Sequence, residues 1–199
     1  GSIKENDGDA DGMLADLLAA AEIQRELGER WSLGMTLGSL SDALSKRGDL
    51  AGATTAMEEA TRLAGELNAR DDVGFQRVWL AGLRAQGGDV EWARADLESF
   101  LAEMSREGFA HRTAAFVVMV LGEFDRAEGK LDSARERYRQ ADEMQQRAPL
   151  VAPQFRGMLR AFEAHLAIAE GCYEAAAALV TEGIAHAMGG KDMPVIALV

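Results

Sequence analysis

Gly48-Asp49-Leu50-Ala51-Gly52-Ala53 is followed forty residues later by Gly88-Asp89-Val90-Glu91-Trp92-Ala93. Outward from this pair the chain keeps returning to the same signal. Gly8, Gly48, Gly88, Gly129 and Gly171 stand 40, 40, 41 and 42 residues apart. Five residues after each of the last four comes an alanine: Ala53, Ala93, Ala134 and Ala176. Self-similarity at a fixed period of this size marks a protein built from stacked repeats.

Each period reads as two helices joined at the glycine. In Trp31 to Arg47, the residues Leu33, Met35, Leu37, Leu40 and Leu44 fall on one helical face. Gly48-Asp49 turns the chain. Ala53, Met57, Ala60 and Leu67 then give the apolar stripe of a second helix, closed by Asn68 as a left-handed cap. Gly28, Asn68 and Gly108 are spaced 40 apart and repeat that cap. The pattern predicts helices at 10–28, 31–47, 49–68, 71–87, 89–108, 110–128, 130–147, 152–170, 173–188 and 193–199. Val117-Val118-Met119-Val120-Leu121 is β-branched but stands where other repeats have their first helix. Pro149, Pro153 and Pro194, the three prolines, all fall at connections.

Composition narrows the role. Hydrophobic residues make up 48% of the 199, enough for a core. The net charge is −12, which disfavours direct contact with nucleic acid. Arginine exceeds lysine, which with the alanine content points to a bacterial source. Cys172 is the one cysteine, so there is no internal disulfide and no cysteine metal cluster. No apolar run reaches the roughly 18 residues of a membrane span, and no signal peptide is evident, so a cytoplasmic location is expected. Gly1-Ser2 reads as a cloning scar, and residues 1–9 as a flexible acidic lead. Residues 10–199 are expected to form a single solenoid of about four full helix pairs, with partial repeats at both ends, cut from a longer protein.

The small and large positions resemble the tetratricopeptide repeat (TPR). Seven residues before the glycines stand Ser41, Ala81, Gly122 and Ala164. Nine after them stand Leu17, Met57, Leu97, Tyr138 and Val180; twelve after, Ala20, Ala60, Phe100, Ala141 and Gly183. Small side chains let paired helices approach, and the large one fills the gap beside them. The period departs from the family's, which is about 34. The family aromatic is replaced by Leu37, Arg77, Val118 and Arg160, and the closing proline by Gly65, Ser105, Gln146 and Met188. Glu163 falls where leucine is expected, which reads as a one-residue slip in the last repeat. The resemblance implies an all-α, right-handed superhelical solenoid of antiparallel helix pairs.

The stretch Lys191 to Val199 and the Gly88–Ala93 turn are similar to the C-terminal helical arrays of large bacterial signalling ATPases of the SARP/AfsR or LuxR type. That resemblance implies a regulatory segment of a transcription regulator. It would bind a peptide, or a neighbouring domain of its own parent, in a concave groove lined by first helices. Rows of outward positions mark that groove: Met35, Phe75, Phe116 and Met158; Asp42, Glu123 and His165; Ser45 and Arg126, with Lys46 and Gln86 alongside. An apolar residue recurring at the repeat period, as in the Met/Phe row, is more often core between repeats. Two further readings are a small-molecule sensor and a scaffold that self-associates, as a homodimer, through Val195 to Val199.

No catalytic set emerges, and no enzyme, cofactor or metal is expected. Asp7-Gly8-Asp9-Ala10-Asp11-Gly12 imitates the start of a calcium loop, but the twelfth position is Leu18 instead of glutamate. Gly189-Gly190-Lys191 lacks the upstream glycine and the Ser or Thr of a phosphate loop. His111, His165 and His186 show no metal spacing. Trp79 is expected to pack in its helix, Trp92 to face a neighbour, and Trp31 to staple a helix entry.

Overall fold

In a computed structural model, residues 9–106, 112–147 and 153–190 are described. They form helices only: α1 (Ala10–Leu27), α2 (Arg30–Lys46), α3 (Leu50–Glu66), α4 (Arg70–Gln86), α5 (Val90–Arg106), α6 (Arg112–Ala127), α7 (Leu131–Arg147), α8 (Pro153–Ala169) and α9 (Tyr173–Gly190). Gly8, Gly108, His111 and the helix expected at 193–199 lie outside the described residues.

The marker glycines work through backbone geometry. Gly48 takes φ 82°, in the left-handed region that an L side chain resists. Its N–H donates to Ser45 O at 2.9 Å, and the next N–H, of Asp49, donates to Leu44 O at 3.0 Å. This Schellman pair satisfies carbonyls that the helix end would otherwise leave bare. The same two bonds close α1, α3, α4, α6 and α8 at Gly28, Asn68, Gly88, Gly129 and Gly171. Asn68, at φ 56°, is the described non-glycine residue with positive φ, as its cap position predicts. Because these residues lie past the helix end, α2, α3 and α4 stop one or two residues short of the bounds read from the sequence.

Helix starts use aspartate. Asp49 Oδ1 accepts from Gly52 N at 2.9 Å, and Asp9 does the same from Gly12. The calcium-like Asp9-x-x-Gly12 therefore serves as an N-cap, while Asp7 and Gly8 lie outside the described residues.

The chain divides into two compact units, Gly1–Ala95 and Asp96–Val199, with the boundary inside α5. In the first unit α1 packs on α2, α2 on α3 and α3 on α4. Its core joins Leu17, Leu33, Leu37, Leu40, Met57 and Leu63, with Ala21, Ala53 and Ala60 at the close approaches. Each large aliphatic buried this way contributes about 1.5–3 kcal/mol. Ser41 stands where Ala81 and Ala164 stand in two other repeats, and its hydroxyl donates to Ala53 O at 2.7 Å, so it packs without an orphaned polar atom. Met35 is the exception on the stripe predicted for α2. It is 48% exposed, because α1 and α3 cover the Leu33, Leu37 and Leu40 side of the helix.

In the second unit α6 packs on α7, α7 on α8 and α8 on α9, and α6 also meets α8. Val117, Val118, Met119 and Leu121 are fully buried, so the β-branched run is core of α6, as its place in the repeat requires. Gly122 is needed there. A Cβ on it would lie 2.5 Å from Tyr138 Cε1. The smallest residue of α6 thus faces the buried ring of α7.

The last repeat does not slip. Ala164 and Ala176 are both buried in register, and Gly171 has φ 76°. Glu163 simply occupies the leucine position, tied to Arg160.

Candidate functional site

The predicted groove positions fall in both units, and each unit is described by itself. In the first, Asp42 and Lys46 form an ion pair at 2.7 Å across one turn of α2, both partly exposed. Ser45 is half-buried, and its carbonyl holds the Gly48 turn. Phe75 is half-buried on α4, and Gln86 is exposed at the end of that helix. Trp79 does not pack inside: it is about half exposed, on the side of α4 away from buried Val78, Leu80 and Ala81. Trp92 lies under the Arg84 guanidinium, with 4.1 Å from Cζ to the ring centre, and Arg84 Nη2 also bonds Glu58 at 2.7 Å.

The ends of α2, α3 and α4 meet around a cleft that sequence reading missed. Trp31 and Met35 come from α2, Leu67 from the turn after α3, and Asp72 and Gln76 from α4. Arg30 stands at its edge, paired with Glu66. Trp31 is 61% exposed and forms a wall of the cleft instead of a helix-entry staple.

In the second unit three predicted residues come together. Glu123 accepts two bonds from Arg126 Nε, both at 3.1 Å, and one from Nη2 at 3.0 Å. It also accepts the Tyr138 hydroxyl. His165 Nδ1 lies 4.0 Å from Glu123 Oε2, beyond a direct hydrogen bond. Phe162 completes the cluster, stacked on Tyr138 at 6.3 Å and tilted against His165 at 6.5 Å. Burial, reinforced by the bond to Glu123, pushes the Tyr138 phenol far above its usual value. The bonds that Arg126 donates to Glu123 hold its guanidinium charged more firmly than in water. This carboxylate is therefore engaged on several sides.

Tyr138 was legible only as a large residue. A buried tyrosine needs a partner for its hydroxyl, and that requirement was the available signal toward Glu123. Phe116 is 4% exposed and meets Phe155 edge-on at 5.9 Å, so it belongs to the packed interior and not to a groove wall. Met158 is half-buried on α8.

The second unit holds two more ionic groups. Arg137 Nε bonds buried Asp125 at 2.6 Å and reaches Glu98 at 3.6 Å. Arg160 joins Asp142 at 3.2 Å, Glu182 at 2.9 Å, and Glu163. Burial raises the Glu163 carboxyl, against the opposing pull of Arg160. His186 Nε2 lies 3.5 Å from Glu182. Cys172 is exposed. Among the described residues no group of His, Cys, Asp or Glu could hold a metal ion. None of the described helices is long and apolar enough to cross a membrane.

Solved structures share this fold. BtubC (BKLC) from P. vanneervenii matches with a TM-score of 0.66 at 18% identity, over 96% of this chain and 78% of that one. A putative kinesin light chain from Podospora anserina, with nearly identical TPR-like repeats, matches with a TM-score of 0.60 at 18% identity, over 96% and 93%. No family model matches the sequence. No curated protein matches it either. The fold is thus an all-α, TPR-like array of antiparallel helix pairs.

Proposed function

We propose that this chain is a non-catalytic protein-interaction module, a regulatory segment of a larger bacterial transcription regulator that binds a peptide or a neighbouring domain of its parent. TPR-like repeats are generally interaction scaffolds, and the TPR-like fold supports that role. The observation that carries the reading is the surface of the first unit. Trp31, Met35 and Leu67 are exposed side by side around one cleft, and large apolar side chains gathered on a surface mark contact sites. The acidic net charge of −12 keeps any DNA contact with other parts of the parent. A metabolite sensor is favoured less. The cleft described in the first unit encloses only about 10 Å³, far below the roughly 300–1,000 Å³ of small-molecule pockets.

The test is a pull-down from bacterial lysate with mass-spectrometric readout, run beside a Met35→Glu, Asp42→Lys bait. Glu123 and Arg126 are unsuitable for charge reversal because they hold Tyr138 in place. A discrete protein kept by the native bait and lost by the altered one is the expected result. No discrete partner for the native bait would sink the reading.

A further inference from the structure

Eight residues before Gly48, Gly88 and Gly129 stand Leu40, Leu80 and Leu121, all buried. The same place before Gly171 is held by Glu163, half-buried on α8. Arg160, one turn earlier, bonds it. The same guanidinium bonds Asp142 of α7 at 3.2 Å and Glu182 of α9 at 2.9 Å. One cation thus stands among three carboxylates from three helices, and its side chain is only 22% exposed. The surplus negative charges repel one another, and low exposure weakens the screening that water and salt would give. Burial raises the Glu163 carboxyl; Arg160 opposes this, and Asp142 and Glu182 add to it. The remaining neighbours are engaged. Gln146 donates to Asp142, and His186 lies 3.5 Å from Glu182. On α6, Glu123, Asp125 and Arg126 face Tyr138, His165 and Arg137.

We propose that this cluster is a proton-operated latch on α9: taking up one proton, it tightens the packing of α9 on α8, and releasing it, it loosens that helix. A neutral Glu163 fills the leucine place without a buried charge. Its repulsion of Asp142 and Glu182 ends, and Arg160 is left to tie α7 to α9 through those two. A proton on His186 would attract Glu182 and act in the same sense. The direction follows from the folded carboxyl titrating above its unfolded value of 4.5. The stability that the latch contributes is fully present below 4.5 and is lost as pH rises through the folded value. The helix that responds is α9, because its packing is on α8, whereas α8 also meets α7 and α6. Loosening α9 uncovers the small core of Ala164, Ala167 and Ala176. Nothing in the latch requires a partner, so it stands or falls apart from the interaction-module reading.

The test uses the full chain and amide hydrogen exchange read by mass spectrometry at about pH 7 and about pH 5. Protection factors remove the intrinsic effect of pH on exchange. Peptides from α9, Tyr173–Gly190, are expected to be protected about threefold more, or better, at the lower pH. Peptides from α6 and α7 are expected to change less. Glu163→Leu, which restores the residue of the other repeats, is expected to hold α9 at the higher protection at both pH values. Glu163→Gln keeps the shape of the protonated carboxyl and is expected to do the same. Native circular dichroism qualifies each variant, and Glu163→Gln carries the test if the leucine misfits. Equal α9 protection of the native chain at the two pH values overturns the latch, and so does weaker protection at the lower one. An equal rise in α6 and α7 overturns it too, because the proton would then act on the whole unit. A native-sized pH response that survives in the folded Glu163 variants removes the cluster as its source.

Discussion

The two units share one repeat and fill it differently. In the first, leucine and methionine pack over alanine, and the charges pair at the rim, as Asp42 does with Lys46. In the second, ionic groups and a phenol enter the interior: Tyr138 bonds Glu123, Asp125 bonds Arg137, and Glu163 stands where leucine stands elsewhere. The turn geometry is the same in both, with Gly48 at φ 82° and Gly129 at φ 78°. The lesson is that the repeat fixes backbone and close approaches, while the filling of the gaps is free to vary. Polar filling demands complete partners, so the second unit should tolerate substitution less well.

The largest contrast is expected at two helical glycines. Gly122→Ala drives a Cβ into the Tyr138 ring, which is buried and cannot move aside. Overpacking of this kind costs about 1–3 kcal/mol. Gly38→Ala in α2 meets nothing within 4 Å, and removing a helical glycine there gains about 0.5–1 kcal/mol. Urea unfolding followed by circular dichroism reads both, and equal signs would break the comparison.

Next comes Tyr138→Phe. It keeps the ring and removes the donor to Glu123, at a cost of about 1.5–3 kcal/mol for a bond to a charged group. The figure belongs toward the lower end, because Arg126 still serves the carboxylate. Loss of less than about 0.5 kcal/mol in the same assay would show that the hydroxyl adds nothing to the packing.

The smallest effect is a pH dependence. The folded Glu163 carboxyl titrates above its unfolded value of 4.5. Between those two values the native state binds more protons than the unfolded one. Its contribution to stability therefore falls as pH rises through that window and is most favourable below it. Glu163→Gln should flatten this part of the stability profile relative to the native chain. Identical slopes would mean that the carboxyl titrates as if it were in water.

Much of the backbone was legible from sequence because glycine and asparagine at fixed offsets have few alternatives. Gly48, Asn68 and Gly171 reveal where a helix must end, and Ala53 and Ala134 reveal where two helices touch. Periodicity speaks less about exposure. Met35 and Leu33 share the apolar stripe of α2, yet packing by α1 and α3 decides that Leu33 is buried and Met35 is not. Trp79 went the opposite way from expectation, and within the Met/Phe row Phe116 is core while Met35 is exposed, for the same reason: a repeat position does not say which side its neighbours cover. Of the proposed groove, the sequence brought out Glu123, Arg126 and His165, which do meet. It missed Tyr138 and Phe162, because contacts across helices depend on how large residues interleave. The cleft was out of reach, since Trp31, Leu67 and Gln76 become neighbours only when three helix ends converge.

The division at Ala95 also sorts the chromophores. Trp31, Trp79 and Trp92 all belong to the first unit, and Tyr138 and Tyr173 to the second. Red-edge ultraviolet excitation selects indole emission and so watches the first unit alone. Phenol absorbance, followed by difference spectroscopy, watches the second. The unlabelled chain therefore carries its own two-colour readout. Whether the halves melt together or in sequence can be seen without attaching a dye.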